Sequence, residues 1–182
     1  MEKATLAGGC FWCTEAIFKR LKGVISVLPG YSGGSIEHPT YEQVCSGITG
    51  HAETIQIEFD SKQIPFEKLL EIFFYTHDPT TPNQQGNDIG LQYRSVIFYH
   101  DEQQKENAEK FVKGLEEKKA YPRPIVTIIG PFKNFYVAED YHKNYYERNK
   151  NALYCNATIA PKIHKLLEKF RKDVKEEYRE ED

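Results

Sequence analysis

Residues 4–21 constrain the fold most tightly, because three kinds of local structure are imposed there in succession. Ala4 to Ala7 is short and mostly apolar, Gly8 and Gly9 follow, and Thr14, Ile17, Phe18 and Leu21 then recur at i, i+3, i+4 and i+7. That order reads as a strand, a glycine turn and an amphipathic helix, which Gly23 is expected to close. Cys10-Phe11-Trp12-Cys13 lies at the junction. A helix start offers unpaired N–H groups and the positive end of the helix dipole, so Cys10 is expected to have a lowered pKa and to act as a nucleophile. Cys13, three residues on, is near enough to close a disulfide with it. The alternative is two buried apolar thiols that happen to lie three apart. The paired glycines and the helix-start position favour chemistry.

Composition narrows the function further. A chain of 182 residues suits one catalytic domain, with residues 161–182 as a charged helical tail. The net charge is −3 and lysines alternate with glutamates, so no basic field is available and nucleic acid is not an expected partner. No apolar run approaches the roughly 20 residues of a membrane span, and Met1-Glu2-Lys3 leads straight into the first strand. No membrane association, a cytoplasmic location and a monomer are expected. Four cysteines, Cys10, Cys13, Cys45 and Cys155, are too few for a secreted disulfide framework and point to redox or metal chemistry. His51, His77 and His142 are accompanied by no HExxH and no second CxxC, so no metal is expected. Cys45 reads as an inert loop thiol.

Val24 to Val27, continuing toward Gly30-Tyr31, reads as a second strand, and residues 32–49 as a long functional loop rich in Ser, Gly, Pro and Thr. Residues 52–60 alternate strictly and give the clearest strand, with Glu53, Ile55, Ile57 and Phe59 on one face. An acid at the start of a buried face is either at its rim or held there for a reason. Pro65 followed by Phe66, Leu69, Leu70 and Phe73 marks a second helix ending near His77, and residues 79–92 form a polar loop. Residues 94–100 read as a central strand, Asp101 with Gln104 as a capping box, and Ala108, Phe111, Val112 and Leu115 as a third helix. A strand over 125–129, a short helix over 138–146 and a docked helix carrying Leu166, Leu167 and Phe170 that frays into solvent complete the reading. The order β-α-β-β-α-β through residue 99 is the split βαβ pattern, so the expected fold is a two-layer α/β sandwich (α+β) with a mixed sheet and extensive coil.

GCFW at 9–12, GYSGG at 30–34, PTYEQVCSGITGHAE at 39–53, HDPTT at 77–81, QGNDIGLQYRS at 85–95 and AEDYHKNY at 138–145 closely resemble the peptide methionine sulfoxide reductase A family. The blocks occur in the family's order and span most of residues 4–155. The resemblance implies reduction of the S epimer of methionine sulfoxide, free or in proteins, with no metal or organic cofactor. It implies that Cys10 attacks the sulfoxide sulfur, that Phe11 and Trp12 wall the pocket for the substrate methyl, and that Glu53 protonates the oxygen. Tyr41 and Tyr93 are implied to hold that oxygen, Asp88 to support the site, and thioredoxin to be the reductant. A sulfoxide oxygen leaves poorly until it is protonated, and burial raises a carboxyl pKa toward that task. Oxygen transfer leaves a sulfenic acid, which a second thiol condenses to a disulfide.

Many family members have Gly after GCFW, where this chain has Cys13. Cys155 matches one C-terminal resolving position, and no second cysteine follows it. Local spacing favours Cys13 as the resolving thiol, with Cys155 secondary and dependent on a mobile segment. Two alternatives differ in class: a thioredoxin-like dithiol oxidoreductase and a non-enzymatic redox-switch module. The first would not need Glu53 or the two tyrosines.

Overall fold

Strict alternation in residues 52–60 becomes the middle of a six-stranded sheet. The computed structural model describes residues 1–180. In chain order it runs β1 (Glu2–Ala7), α1 (Phe11–Phe18), β2 (Val24–Ser32), α2 (Tyr41–Cys45), β3 (Ala52–Phe59), α3 (Phe66–Thr76), the two-residue strands β4 (Gln84–Gln85) and β5 (Asp88–Ile89), and β6 (Val96–Tyr99). There follow α4 (Glu102–Glu117), β7 (Ile128–Pro131), β8 (Tyr136–Val137), α5 (Tyr145–Arg148) and α6 (Ala160–Phe170). The main sheet has the order β7-β6-β1-β3-β2-β8, and only β6–β7 is parallel. It is the expected mixed sheet, and β6, an unbroken apolar run, has neighbours on both sides.

Alternation sends the two faces to different surroundings. Leu6, Tyr31, Ile55, Ile57, Phe59 and Ile97 enter the main core beneath the helices. Ala7, Ala52, Val96 and Phe98 form a smaller cluster on the opposite face, against Phe132. The expected stripes of α3 and α6 are buried, Phe66, Leu69, Leu70 and Phe73 on one and Ile163, Leu166, Leu167 and Phe170 on the other. The stripe of α1 is buried too, but so is the rest of the helix from Cys13 to Phe18, Glu15 included. It is not an amphipathic surface helix, because α5 and α6 lie over the side that the sheet leaves open.

Several boundaries differ from the expectation, each for a local reason. The first helix stops at Phe18; Gly23 (φ 78°) instead turns the chain into β2, packed where a Cβ would strike Ile64 and Gln63. The segment 32–49 contains α2, nucleated by a capping box in which Gln43 N–H donates to Thr40 Oγ1 (3.2 Å) and Thr40 N–H to Gln43 Oε1 (2.9 Å). At α4, Gln104 N–H donates to Asp101 (2.8 Å), but the Gln104 side chain accepts from His100 N–H (3.0 Å) and donates to the Lys3 carbonyl (2.7 Å), so the box becomes a tie to β1. The strand expected over 125–129 begins at Ile128, opposite the start of β6 at Val96, while Val126 N–H is taken by the Pro79 carbonyl. Residues 138–146 split into a 3-10 turn (Asp140–His142) and α5, because Lys143 is extended and Asn144 is left-handed (φ 52°).

The end of the chain does not fray within the described residues. Past Phe170 it turns back on α1: Lys22 N–H donates to Asp173 O, Lys175 N–H to Arg20 O, and Val174, wholly buried, bridges Leu21. Glu181 and Asp182, the end of the expected charged tail, lie outside the described residues. No helix among the described residues is long and apolar enough to cross a membrane.

Candidate active site

The glycine turn sets Cys10 where the sheet ends. A Cβ on Gly8 would come within 2.7 Å of the Phe73 ring, and Gly9 combines φ 83° with an approach to Gln85 that would leave a Cβ only 2.6 Å away. Only glycine fits either position without displacement. Gly9 N–H donates to the Tyr93 carbonyl (3.2 Å), which brings the 3-10 turn Leu91–Tyr93 to the same corner. Cys10 caps α1 in an extended conformation, its carbonyl accepting from Cys13 and Thr14 N–H. Phe11 N–H, the first of the helix, donates to Glu53 Oε2 at 3.0 Å. The alternation of β3 turned Glu53 toward the helical layer, and α1 starts above it.

Burial reverses one expectation. Cys10 was expected to have a lowered pKa from the helix start, but burial, a hydrogen bond with Cys13 and the nearby charge of Glu53 together raise its thiol well above the ordinary range. The leading helix N–H is already spent on Glu53. Cys13 moves the other way, to about 7, through the hydrogen bond from Cys10, helped by Lys162 and Tyr154 against burial. The two thiols titrate as an interacting pair in which Cys13 is the more acidic. Glu53 is only 2% exposed, and burial lifts its carboxyl to about 8 in spite of the Phe11 N–H, with Asp88 adding to the rise. At pH 7 it is a neutral acid beside a thiol pair.

The remaining candidates gather around this centre. Tyr41 opens α2, its N–H donating to Glu139 Oε1 (3.0 Å) and its ring stacked with Phe11. Burial raises the Tyr41 and Tyr93 hydroxyl pKa values, and the Glu53 charge adds to the rise once that carboxyl ionises. Asp88, on the β4–β5 hairpin, accepts from the Tyr154 hydroxyl at 2.7 Å. Phe11 is fully buried, whereas half-buried Trp12 lies face to face with Tyr145, centroids 3.6 Å apart and planes within 5°. Cys155 is 0% exposed, in a π-type turn (Cys155–Ile159) packed into the main core, and burial raises its thiol. Cys45 ends α2 instead of lying in a loop, hydrogen-bonded to Tyr41 and raised by partial burial. All four cysteines are free.

Four participants were missed by residue-level reading. Glu139 accepts from the Tyr31 hydroxyl (2.8 Å) and the Tyr41 N–H. His142 Nδ1 accepts from the Trp12 indole (3.0 Å), so its proton is on Nε2, which faces Glu139 Oε2 at 3.3 Å without hydrogen-bond alignment. Burial keeps the ring neutral. Tyr145 supplies the stacking face for Trp12, and Tyr154 bridges Asp88 and Cys13, the latter at 3.9 Å. An acid and a histidine three apart in Ala138-Glu139-Asp140-Tyr141-His142 were the available signal; the tyrosines gave none. The three histidines weighed as metal ligands are apart: His51 accepts from Gly34 N–H, and His77 bonds the Phe73 carbonyl and Ser95.

A buried thiol pair, a neutral carboxylic acid and tyrosine hydroxyls around an aromatic wall can deliver a proton and accept an oxygen atom on sulfur. Comparison with known proteins agrees with that chemistry. The chain is 58% identical over 170 residues to a peptide methionine sulfoxide reductase MsrA of Sulfolobus acidocaldarius, covering 93% of this chain and 96% of that protein. Reduced Mxr1 from Saccharomyces cerevisiae has a similar structure, with a TM-score of 0.79, 35% identity and coverage of 86% of this chain and 90% of Mxr1. Mxr1 in complex with Trx2 is similar at a TM-score of 0.56 and 28% identity, over 79% of this chain and 84% of that one. With the family model for peptide methionine sulfoxide reductase matching residues 2–175, the chain belongs to the peptide methionine sulfoxide reductase family.

Proposed function

We propose that this enzyme reduces the S epimer of methionine sulfoxide, free or within proteins, through a sulfenic acid on Cys10 and a Cys10–Cys13 disulfide. Glu53 gives its proton to the sulfoxide oxygen while Tyr41 and Tyr93 hold it, which makes the sulfur electrophilic. Because a neutral Glu53 no longer repels a thiolate, the same protonation state eases ionisation of Cys10. The Cys10 thiolate attacks the sulfoxide sulfur and forms an S–S bond, the protonated oxygen leaves as water, and water then displaces methionine from the Cys10 sulfur, returning a proton and leaving the sulfenic acid: the sulfoxide gains two electrons and Cys10 loses two. Cys13 then attacks the sulfenic acid, forming the disulfide and releasing water. An external dithiol returns two electrons and two protons. The Mxr1–Trx2 complex supports a thioredoxin in that role, and a reducing compartment such as the cytoplasm suits the cycle. Trp12, with Phe11 behind it, walls the methyl pocket, and Asp88 supports the site through Tyr154. One catalytic domain acting as a monomer suffices.

The observation that carries this reading is Glu53, a buried carboxyl that accepts from the N–H of Phe11, the residue next to Cys10. The test is methionine formation from each separate epimer with dithiothreitol. Methionine is expected from the S epimer alone, and none from the Cys10→Ser variant, whose hydroxyl is no nucleophile at this pH. Turnover of the R epimer would overturn the stereochemical assignment; disulfide exchange without methionine would leave a thioredoxin-like oxidoreductase.

A further inference from the structure

Arg20 lies just beyond α1, far from the reacting thiols, and is completely buried. Its guanidinium donates to the Ala16 carbonyl (2.7 Å) and to Glu147 Oε1 (2.7 Å), and sits over the rings of Tyr146 (5.3 Å) and Tyr178 (4.7 Å). A buried charge is tolerated only when paired, and Glu147 supplies one charge partner. Glu147 belongs to α5, which is a single helical turn of four residues. One turn has almost no stability of its own, so its placement depends on its anchors.

One set of anchors lies along α1; the other is Arg148, which donates to the Asp140, Tyr141 and Lys143 carbonyls. Asn144 N–H donates to Glu15 Oε1 and Lys19 Nζ to Asn144 Oδ1, both at 2.8 Å, before α5, and Arg20 grips Glu147 within it. Between these points is Tyr145, the face on which Trp12 is stacked. The indole edge is held separately by His142. Face and edge together leave the ring one position.

We infer that Arg20 is a positioning residue for Trp12: by holding Glu147 it sets α5, and α5 sets the Tyr145 ring against which the pocket indole rests. This rests on the proposed place of Trp12 in the methyl pocket, but its first readout does not. Trp12 is the sole tryptophan of the chain, so intrinsic fluorescence reports its stacking directly. The competing role for Arg20 is a staple for the end of the chain, through Tyr178 and the Lys175 N–H.

Two variants of the full chain separate these roles. Glu147→Gln removes the charge partner within α5, while Tyr178→Leu removes the ring on the chain end and leaves α5 its anchors. In Glu147→Gln, acrylamide quenching of Trp12 is expected to rise at least threefold and KM for methionine sulfoxide to rise severalfold, with kcat nearly unchanged. Tyr178→Leu should lower the thermal midpoint and leave quenching and KM as in the wild type, and Arg20→Lys should fall between wild type and Glu147→Gln. If Glu147→Gln does not fold, Glu147→Asp, which keeps the charge but shortens the arm, gives the same comparison. Folded Glu147→Gln with wild-type quenching, or Tyr178→Leu with quenching raised as far as in Glu147→Gln, would reduce Arg20 to a staple. Raised quenching with unchanged KM upholds the coupling and removes Trp12 from the methyl pocket, so the two failures are distinguishable.

Discussion

Glu53 keeps its proton at neutral pH because burial penalises the carboxylate more than the Phe11 N–H favours it. Its folded pKa near 8, against an ordinary 4.5, means that between those values the folded protein holds a proton the unfolded chain has released. This group's contribution to stability is therefore full below about 4.5, declines as pH rises, and is lost above about 8. Glu53→Gln keeps the shape and an acceptor for Phe11 but cannot give up a proton. It is expected to slow methionine formation in a single turnover by about 10²- to 10⁴-fold. Its stability should also lack the wild-type decline between pH 5 and 8. Urea melts at those two pH values measure this; equal pH dependence in both proteins would mean that Glu53 is ionised in the fold.

Two elements compete to deliver the resolving thiol. The first turn of α1 places Cys13 three residues from Cys10, its N–H on the Cys10 carbonyl (3.1 Å), while the π-type turn beyond α5 holds Cys155 in the core. Cys13 needs only an adjustment at a helix end, whereas Cys155 needs its turn to leave its packing. Cys13→Ser is expected to release about one equivalent of methionine per enzyme and then recycle poorly with thioredoxin. Cys155→Ser should recycle nearly normally while losing about 1–3 kcal/mol of stability, because its hydroxyl enters an apolar core. Mass spectrometry of the oxidised protein decides the connectivity, and a dominant Cys10–Cys155 disulfide with Cys13 free would reverse the assignment.

Across the whole molecule, the segment after α6 closes on the far end of α1 and completes the burial of the helix whose near end carries the thiols. Val174 is its apolar anchor, with nothing of it exposed. Val174→Ala is expected to cost on the order of 2 kcal/mol through lost burial and the cavity left behind. Chemical denaturation measures it; a loss below about 0.5 kcal/mol would show that the closure adds little to the fold.

Residues 4–21 and 52–60 determined by themselves the strand, glycine turn and helix, the paired thiols and the strand with Glu53 on its buried face, because periodicity and glycine freedom act over a few residues. The motif blocks carried the family and, with it, Tyr41, Asp88 and Tyr93. The short elements were illegible: α2 and α5 are held by a capping box and an ion pair, not by an apolar stripe, and β7 takes its register from β6. The protonation pattern also belongs to the tertiary structure alone. In the isolated helix start, Cys10 would have the first N–H groups and the lowered pKa; in the folded protein Glu53 takes the Phe11 N–H, and burial raises both the Cys10 thiol and the Glu53 carboxyl. A pKa is set by desolvation and by charges from residues far apart in the chain, and no local pattern encodes where they meet.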